Sequence, residues 1–348
     1  MKRSLLAVPF FLLLLALVAA ACSGGEDTST EDSEPDAGQE STDETTDDDA
    51  GPDDDAGTDG EADAEASGDG DGAMAEGEGF PVTIESAGGT WTLEAAPERI
   101  VSLSPMATEL LFAIGAGDQV VAADEYSTYP PEAPTSDLSG FDPNIEAIAA
   151  YDPDLLVIAN DANDMIASFT ALGVPVLVSP PPTDLEQGYA EITTLGAATG
   201  RSEAAAETID TLRSELAAAF AAGPDVEVRV YHEIDETFYS ASSNSFIGAV
   251  YTEFGATNIA DDADTDGFGF PQLTEEYIVD ADPQVIVITD QVAYSPQDVA
   301  SRPGWGDVAA VRDNNVVVVN ADAASRWGPR LPEFVSAVAT ALTAVEAG

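Results

Sequence analysis

The fold follows from two matching stretches, FDPNIEAIAAYDPDLLVIA at residues 141–159 and FPQLTEEYIVDADPQVIVIT at residues 270–289. Each reads as a helix-capping residue, a short helix, an Asp-Pro turn and an apolar strand. Glu146 and Glu276 hold the same place in the first helical turn, two positions after the cap, and they are 130 residues apart. The chain therefore builds one helix-turn-strand unit twice and places a carboxylate on the exposed end of each copy. Two similar lobes with matching carboxylates suggest docking onto a two-fold partner.

The N-terminus has the pattern of a secretory signal. Residues 1–21 contain two basic residues and then an apolar run that is too short to favour a permanent membrane span. Three alanines directly before Cys22 resemble a bacterial lipobox, although Ala19 stands where leucine is commonest. We therefore expect a lipid on Cys22 that anchors the exported protein to the outer face of the cytoplasmic membrane. The alternative is an ordinary signal followed by a free cysteine, and no disulfide can form because Cys22 is the one cysteine.

Acidic residues far outnumber basic residues in the rest of the chain. Residues 22–79 contain 23 Asp or Glu and no Lys or Arg, so we expect an extended, disordered tether. Residues 80–348 contain 43 acidic residues and eight arginines, a formal charge near −35. Such a surface disfavours binding to nucleic acid and to anionic membranes. It would suit a high-salt habitat, although biased codon usage could deplete lysine in the same way.

Apolar, β-branched runs alternate with helical patterns from residue 80 onward. This alternation predicts an α/β fold of two Rossmann-like lobes with parallel sheets, at residues 80–200 and 223–348. The predicted strands lie at 99–103, 119–122, 154–159 and 175–178 in the first lobe and at 226–234, 284–289 and 316–320 in the second.

One long helix is predicted between the lobes, at residues 201–222. Its apolar residues recur at helical spacing without an interrupting proline or glycine. About 20 residues at 1.5 Å each give a rod of roughly 30 Å. A single rigid helix can therefore join the two lobes.

Several further motifs resemble one known family in order and in sequence. They are RIVSLSPMATELLFAIGAGDQVVAADEYSTYPPEA at 99–133, LGAATG at 195–200, NSFIGAVYTEFGATNIA at 244–260 and SRWGPRLPEF at 325–334. Together with the glycine six residues before Glu146, they resemble class III substrate-binding proteins of ABC importers. That family binds ferric siderophores, haem or cobalamin in a shallow cleft between two α/β lobes.

The resemblance implies a role for the two matching glutamates. In the family, one glutamate on each lobe pairs with arginines of the ABC permease dimer, and these match Glu146 and Glu276. Glu275 is the neighbouring competitor on the second lobe. The alternative is that both carboxylates serve only the helix dipole, for about 0.3–1 kcal/mol each.

Ligand contacts are expected on loops at the strand ends that face the cleft. Ser104, Pro105 and Met106 begin a helix whose N-terminus could meet a polar ligand group, and simple capping is the alternative. Tyr126 precedes a proline-containing loop, where its ring could stack on a flat macrocycle or a catecholate. Core packing is the alternative for Tyr126, and Tyr129 is a weaker candidate.

The segment SRWGPR carries two of the eight arginines around a tryptophan. We expect Trp327 to be exposed and to face the ligand together with Arg326, because a guanidinium pairs with carboxylates or stacks on rings. Arg330 is expected to be structural and to pair with nearby acids. The sequence DEYSTYPPEA resembles the cobalamin-binding branch somewhat more than the siderophore branch, whereas Arg326 would equally suit an anionic ferric siderophore.

His232, the one histidine, is a weak candidate for a haem iron ligand, and a hydrogen-bonded structural role is the favoured interpretation. No HxxxH or CxxC cluster indicates a resident metal, and no cofactor is expected beyond the metal chelate carried as ligand. An enzyme using His232 with Glu233 or Asp235 is one alternative, which the missing nucleophile elbow and phosphate loop disfavour. A surface adhesion lipoprotein is the other. We predict a monomeric, non-enzymatic receptor that delivers its chelate to a permease.

Overall fold

The computed structural model describes residues 79–224 and 227–347, all within one structural unit. The predicted signal peptide, Cys22 and the tether up to residue 78 lie outside the described residues. Among the described helices, none is long and apolar enough to span a bilayer.

The first lobe contains a hairpin followed by a four-stranded sheet. Its strands and helices, in chain order, are β1 (Val82–Ser86), β2 (Gly89–Leu93), β3 (Ile100–Leu103), α1 (Pro105–Ala113), β4 (Val120–Ala123), α2 (Ile145–Ala149), β5 (Leu155–Ile158), α3 (Met165–Ala171), β6 (Val176–Val178) and α4 (Leu185–Thr199). Strands β3 to β6 are parallel, in the order β4-β3-β5-β6. The predicted strands of this lobe are confirmed, with ends one residue shorter or shifted.

The second lobe repeats this sheet. After α5 (Ser202–Ala222) come β7 (Arg229–His232), α6 (Phe246–Glu253), β8 (Thr257–Asn258), α7 (Glu275–Ala281), β9 (Val285–Thr289), α8 (Pro296–Ala300), α9 (Ala309–Arg312), β10 (Val316–Val319), α10 (Ala321–Ser325) and α11 (Leu331–Ala347). Its parallel order, β8-β7-β9-β10, equals that of the first lobe when each lobe's strands are numbered 2-1-3-4. The predicted α/β fold of two lobes with parallel sheets is therefore correct.

Helix α5 joins the two lobes and packs against both. It lies along α4 of the first lobe and α11 of the second, and its buried face includes Leu212 and Leu216. One apolar core runs through both lobes around this helix, and each lobe has a smaller core of its own. The shared core restrains movement of one lobe against the other.

The hairpin β1–β2 was not predicted. It lies against the edge strand β6, where the backbone N–H of Val178 donates to the Ser86 hydroxyl at 3.3 Å. A Cβ at Gly88 would lie 2.4 Å from the Val176 carbonyl oxygen, so this close approach requires glycine. The hairpin thereby covers a sheet edge that would otherwise be open to pairing with another chain.

Candidate functional site

Tyr126 and Arg326 come together from the two lobes. Tyr126 follows β4, and Arg326 follows α10, which begins directly after β10. The Arg326 guanidinium donates through Nη2 to the backbone oxygen of Tyr126 at 3.1 Å. Both residues lie beyond the carboxyl ends of parallel strands, where sites form in open α/β sheets. This edge is the candidate ligand site.

The loop that carries Tyr126 is held by a buried carboxylate. Asp124 Oδ1 accepts from the backbone N–H groups of Tyr126 at 3.0 Å and Ser127 at 2.8 Å. Burial raises the pKa of Asp124 above its ordinary value, although these hydrogen bonds oppose the rise. The turn therefore fixes the backbone from which the Tyr126 ring projects.

Phe141 pairs with Tyr126 and was missed in the sequence. The ring centroids are 5.8 Å apart at an interplanar angle of 71°, an edge-to-face contact. Phe141 is 41% exposed, so part of its ring is accessible at this edge of the sheet. The available signal was its position at the head of the first duplicated stretch, five residues before Glu146.

A buried ion-pair network lies beside this aromatic pair. The Glu109 side chain, 1% exposed, accepts from Arg326 Nη1 at 3.2 Å and from Arg330 Nε at 3.0 Å. Asp322 completes the network 2.9 Å from Arg326. Two carboxylates thus face two guanidinium groups, and their formal charges cancel. The network also ties α1 of the first lobe to the end of the second.

Arg330 pairs with acids, as predicted, and its guanidinium lies 4.3 Å from the centroid of the Tyr129 ring. Arg326 shares those acids, so it is structural as well as adjacent to Tyr126.

The predicted exposure of Trp327 is wrong. Its side chain is 1% exposed and packs edge-to-face on Tyr189, with ring centroids 5.5 Å apart. A Cβ at Gly188 would lie 2.0 Å from the indole, so only glycine at this point of α4 admits the ring. Trp327 therefore belongs to the core between the lobes, and we do not include it among the ligand contacts.

The start of α1 also differs from the expectation. Ser104 is buried and its hydroxyl accepts from the Ala107 backbone N–H at 3.2 Å, which is the capping arrangement. Met106 lies in the core, and Pro105, the first helical residue, is partly exposed. Of the three predicted residues at the start of α1, only Pro105 has a side chain that reaches the surface.

His232 is buried in the second lobe. Its Nδ1 lies 2.6 Å from the Tyr251 hydroxyl, and its ring packs edge-to-face on Phe334. Burial lowers the pKa of His232 to about 4. These contacts are those of a hydrogen-bonded interior residue. Within residues 79–224 and 227–347, no group of three His, Cys, Asp or Glu side chains could hold a metal ion.

Glu146 and Glu276 occupy equivalent, exposed positions. Each is the second residue of its helix, after a cap whose side chain accepts a backbone N–H three residues on. In the described part of the chain, neither carboxylate has a hydrogen bond or ion pair. Glu275, in contrast, accepts from Trp305 Nε1 at 2.9 Å. The two competing glutamates of the second lobe therefore differ within the described residues, because Glu275 is hydrogen-bonded and Glu276 is not.

The chain is similar in sequence to one known family and to several curated proteins. A model of the family described as periplasmic binding protein matches residues 100–323. The chain is 34% identical over 275 residues to a protein named cobalamin-binding protein from Halobacterium salinarum, covering 75% of this chain and 74% of that one. It is 32% identical over 278 residues to an uncharacterized ABC transporter substrate-binding lipoprotein, YvrC of Bacillus subtilis, covering 76% and 86%.

Solved structures with the same fold include a heme-binding protein and a vitamin B12 binding protein. The periplasmic heme-binding protein RhuT from Roseiflexus sp. RS-1 has a TM-score of 0.64 and 25% identity, covering 71% of this chain and 99% of that one. The periplasmic vitamin B12 binding protein BtuF of Vibrio cholerae has a TM-score of 0.59 and 26% identity, covering 72% and 99%.

Proposed function

We propose that this chain, which belongs to the periplasmic binding protein family and is the substrate-binding protein of an ABC importer, takes cobalamin as its ligand. Proteins named for cobalamin or vitamin B12 binding are 34% and 28% identical to it over most of its length. The observation that carries the proposal is the charge balance of the site beside Tyr126.

That balance distinguishes among chelates. Glu109 and Asp322 already neutralise Arg326 and Arg330, so the site offers its ligand little net positive charge. A polyanionic ferric siderophore or the carboxylates of haem would have to break a buried network to find a cation, and breaking such a network is costly. Cobalamin presents amide groups around its macrocycle, and amides need hydrogen-bonding partners rather than a counter-charge.

The aromatic pair supports the same ligand class. Tyr126 and Phe141 present apolar ring surface next to the polar edge formed by Arg326. A corrin ring is large and flat, and burial of such a surface against aromatic side chains gives affinity with few directional contacts. The shared core around α5 keeps this surface preformed, which limits the entropy lost on binding.

Delivery requires a second surface, and we assign it to the two exposed glutamates. Glu146 and Glu276 stand at the same position of duplicated helices and leave their carboxylates available to arginines of a permease dimer. We further propose that Cys22 carries the lipid that anchors the protein to the outer face of the cytoplasmic membrane, that the protein is a monomer, and that it performs no covalent chemistry.

Tryptophan fluorescence of the full chain, titrated with cyanocobalamin, haemin and ferric siderophores in high salt, tests the ligand. We expect quenching with a Kd below about 1 μM for cyanocobalamin alone. Tighter binding of haemin or a siderophore would overturn the assignment.

Cobalamin uptake by cells that carry Glu146→Gln with Glu276→Gln tests delivery. We expect uptake to be lost while the titration is unchanged. Weaker ligand binding in this double variant would show that the glutamates do not act in docking.

A further inference from the structure

Glu275 stands next to the docking candidate Glu276 but makes a different contact. Its Oε1 accepts a hydrogen bond from Trp305 Nε1 at 2.9 Å. Trp305 is fully buried in the smaller core of the second lobe. A buried indole N–H needs an acceptor, and in the described part of the chain Glu275 is the acceptor that Trp305 has. The first residue of α7 is thus tied to the interior.

Trp305 is itself held by neighbouring side chains. Its ring stacks on Phe238 at a centroid distance of 6.2 Å, and the Arg302 guanidinium lies 4.6 Å from its centroid. Arg302 donates through both terminal nitrogens to the buried carboxylate of Glu233, at 2.7 and 2.6 Å. Glu233 directly follows β7, at the carboxyl edge of the sheet. A continuous set of contacts therefore runs from that edge to the start of α7.

We call the hydrogen bond between Glu275 and Trp305 the anchor of α7. The first lobe, within the described residues 79–200, has no equivalent of it. The residue of α2 that matches Glu275 is Ile145, since the duplicated units are offset by 130 residues. An isoleucine side chain cannot accept a hydrogen bond. The anchor is therefore a feature that distinguishes the second lobe from the first.

We infer that Glu275 and Trp305 are positioning residues that fix the first turn of α7 so that Glu276 projects outward towards the permease. Successive helical residues project about 100° apart, so the hydrogen bond that holds Glu275 against Trp305 also sets the direction in which the exposed Glu276 projects. This inference rests on the proposed docking role of Glu276. It assigns to Glu275 an acceptor function, for which an amide serves as well as a carboxylate.

Four variants of the full chain test the inference. Each is loaded with cyanocobalamin and added to lipid nanodiscs that contain the ABC permease complex from the same organism. The measurement is the concentration of binding protein that half-stimulates ATP hydrolysis. Glu276→Gln should raise this concentration at least tenfold, which corresponds to about 1.4 kcal/mol. Glu275→Gln keeps the acceptor oxygen and should stay within about twofold. Trp305→Phe keeps a ring but removes the donor and should raise it about fivefold.

Glu146→Gln is the fourth variant and controls for the proposed function. If neither Glu146→Gln nor Glu276→Gln has an effect, the docking proposal itself fails. If Glu276→Gln and Glu275→Gln raise the half-stimulating concentration equally, the Glu275 carboxylate contacts the permease directly and the positioning role is wrong. If Trp305→Phe matches the unsubstituted chain while Glu276→Gln does not, the anchor is unnecessary.

A second readout reports on the hydrogen bond itself. The three tryptophans give three indole N–H signals in ¹⁵N-edited NMR spectra, and Trp305→Phe identifies the one that belongs to Trp305. We expect this signal to exchange slowly with solvent in the unsubstituted chain and in Glu275→Gln. In Glu275→Ala, which removes the acceptor, it should exchange at least tenfold faster, about 1.4 kcal/mol of lost protection. Equal exchange in all three proteins would overturn the anchor.

Discussion

Arg99 and Arg229, 130 residues apart, hold the C-terminal ends of the two helices that carry Glu146 and Glu276 in the same way. Each guanidinium donates through Nε to two consecutive backbone carbonyls at or just beyond the helix end. The acceptors are Tyr151 at 3.2 Å and Asp152 at 2.9 Å for Arg99, and Ala281 at 2.9 Å and Asp282 at 3.0 Å for Arg229. Each duplicated unit is thus matched by a cation, supplied from outside the unit, at the negative end of its helix dipole.

Replacing Arg99 or Arg229 should therefore destabilise the helix whose C-terminal end it contacts, α2 or α7. We expect Arg99→Met and Arg229→Met each to lower the free energy of unfolding by about 1 kcal/mol, because both guanidinium groups are partly solvated. Urea unfolding measures this. Arg312→Met is the control, since Arg312 has an exposed ion pair with Asp313 and a single hydrogen bond to the backbone oxygen of Asp307, which together should contribute less than about 0.5 kcal/mol. An equal loss of stability in the control would contradict the stabilising role of the contacts that Arg99 and Arg229 make with these carbonyls.

The buried carboxylate of Glu109 should be the more sensitive point. We expect Glu109→Gln to lower the free energy of unfolding by about 3 kcal/mol, because two guanidinium groups are left with one remaining acid. The urea midpoint should fall with little change in its slope. Glu186→Gln, which removes an exposed partner of Arg213, should change stability by less than about 1 kcal/mol. Similar effects of the two substitutions would show that burial of Glu109 is unimportant.

The aromatic pair should contribute directly to ligand affinity. We expect Tyr126→Leu and Phe141→Leu each to weaken cyanocobalamin binding about tenfold, or about 1.4 kcal/mol, because both remove ring surface from the site. Leu172→Ala is the control: Leu172 is exposed, and it follows α3 at the opposite end of the sheet. Unchanged affinity in both aromatic variants would remove this pair from the site.

His232 should make stability depend on pH. Burial lowers its pKa from 6.5 to about 4, so between these values the unfolded chain binds more protons than the folded one. The stabilisation from neutral His232 is present above pH 6.5 and is lost as the pH falls towards about 4, a difference of about 3 kcal/mol.

Urea unfolding at about pH 5 and about pH 7 tests this dependence. The loss of stability on acidification should be smaller in His232→Gln than in the unsubstituted chain, although other acidic groups contribute to both. Tyr251→Phe removes the hydroxyl beside Nδ1 but keeps the burial, so it should retain the full dependence. An unchanged pH dependence in His232→Gln would contradict the burial effect.

The strands and helices around the duplicated units could be predicted because their signals are local. Apolar runs of β-branched residues and capping residues such as Asn144 and Thr274 lie within a few positions of the elements they define. The exposed face of each capped helix follows from the same short pattern. Glu146 and Glu276 were accordingly predicted and found at equivalent exposed positions.

The environment of Trp327 could not be predicted, because it depends on a distant glycine. Flanking arginines suggested an exposed ring, but the indole is buried against α4 at the point where Gly188 lacks a side chain. Those two residues are 139 positions apart, and no periodicity within either segment reports their contact. The pairing of Arg326 with Glu109 was missed for the same reason, since Glu109 lies on the other lobe.

Under the proposed docking role of Glu146 and Glu276, the common strand order of the two sheets means that substitutions have different consequences on the two sides of the interface. A transporter assembled from two identical subunits would meet the first lobe with one copy and the second lobe with the other. A single amino-acid replacement in such a transporter alters both contacts at once, whereas a replacement in this chain alters one. Over evolutionary time the two lobes can diverge separately, while the transporter must keep a surface that fits both.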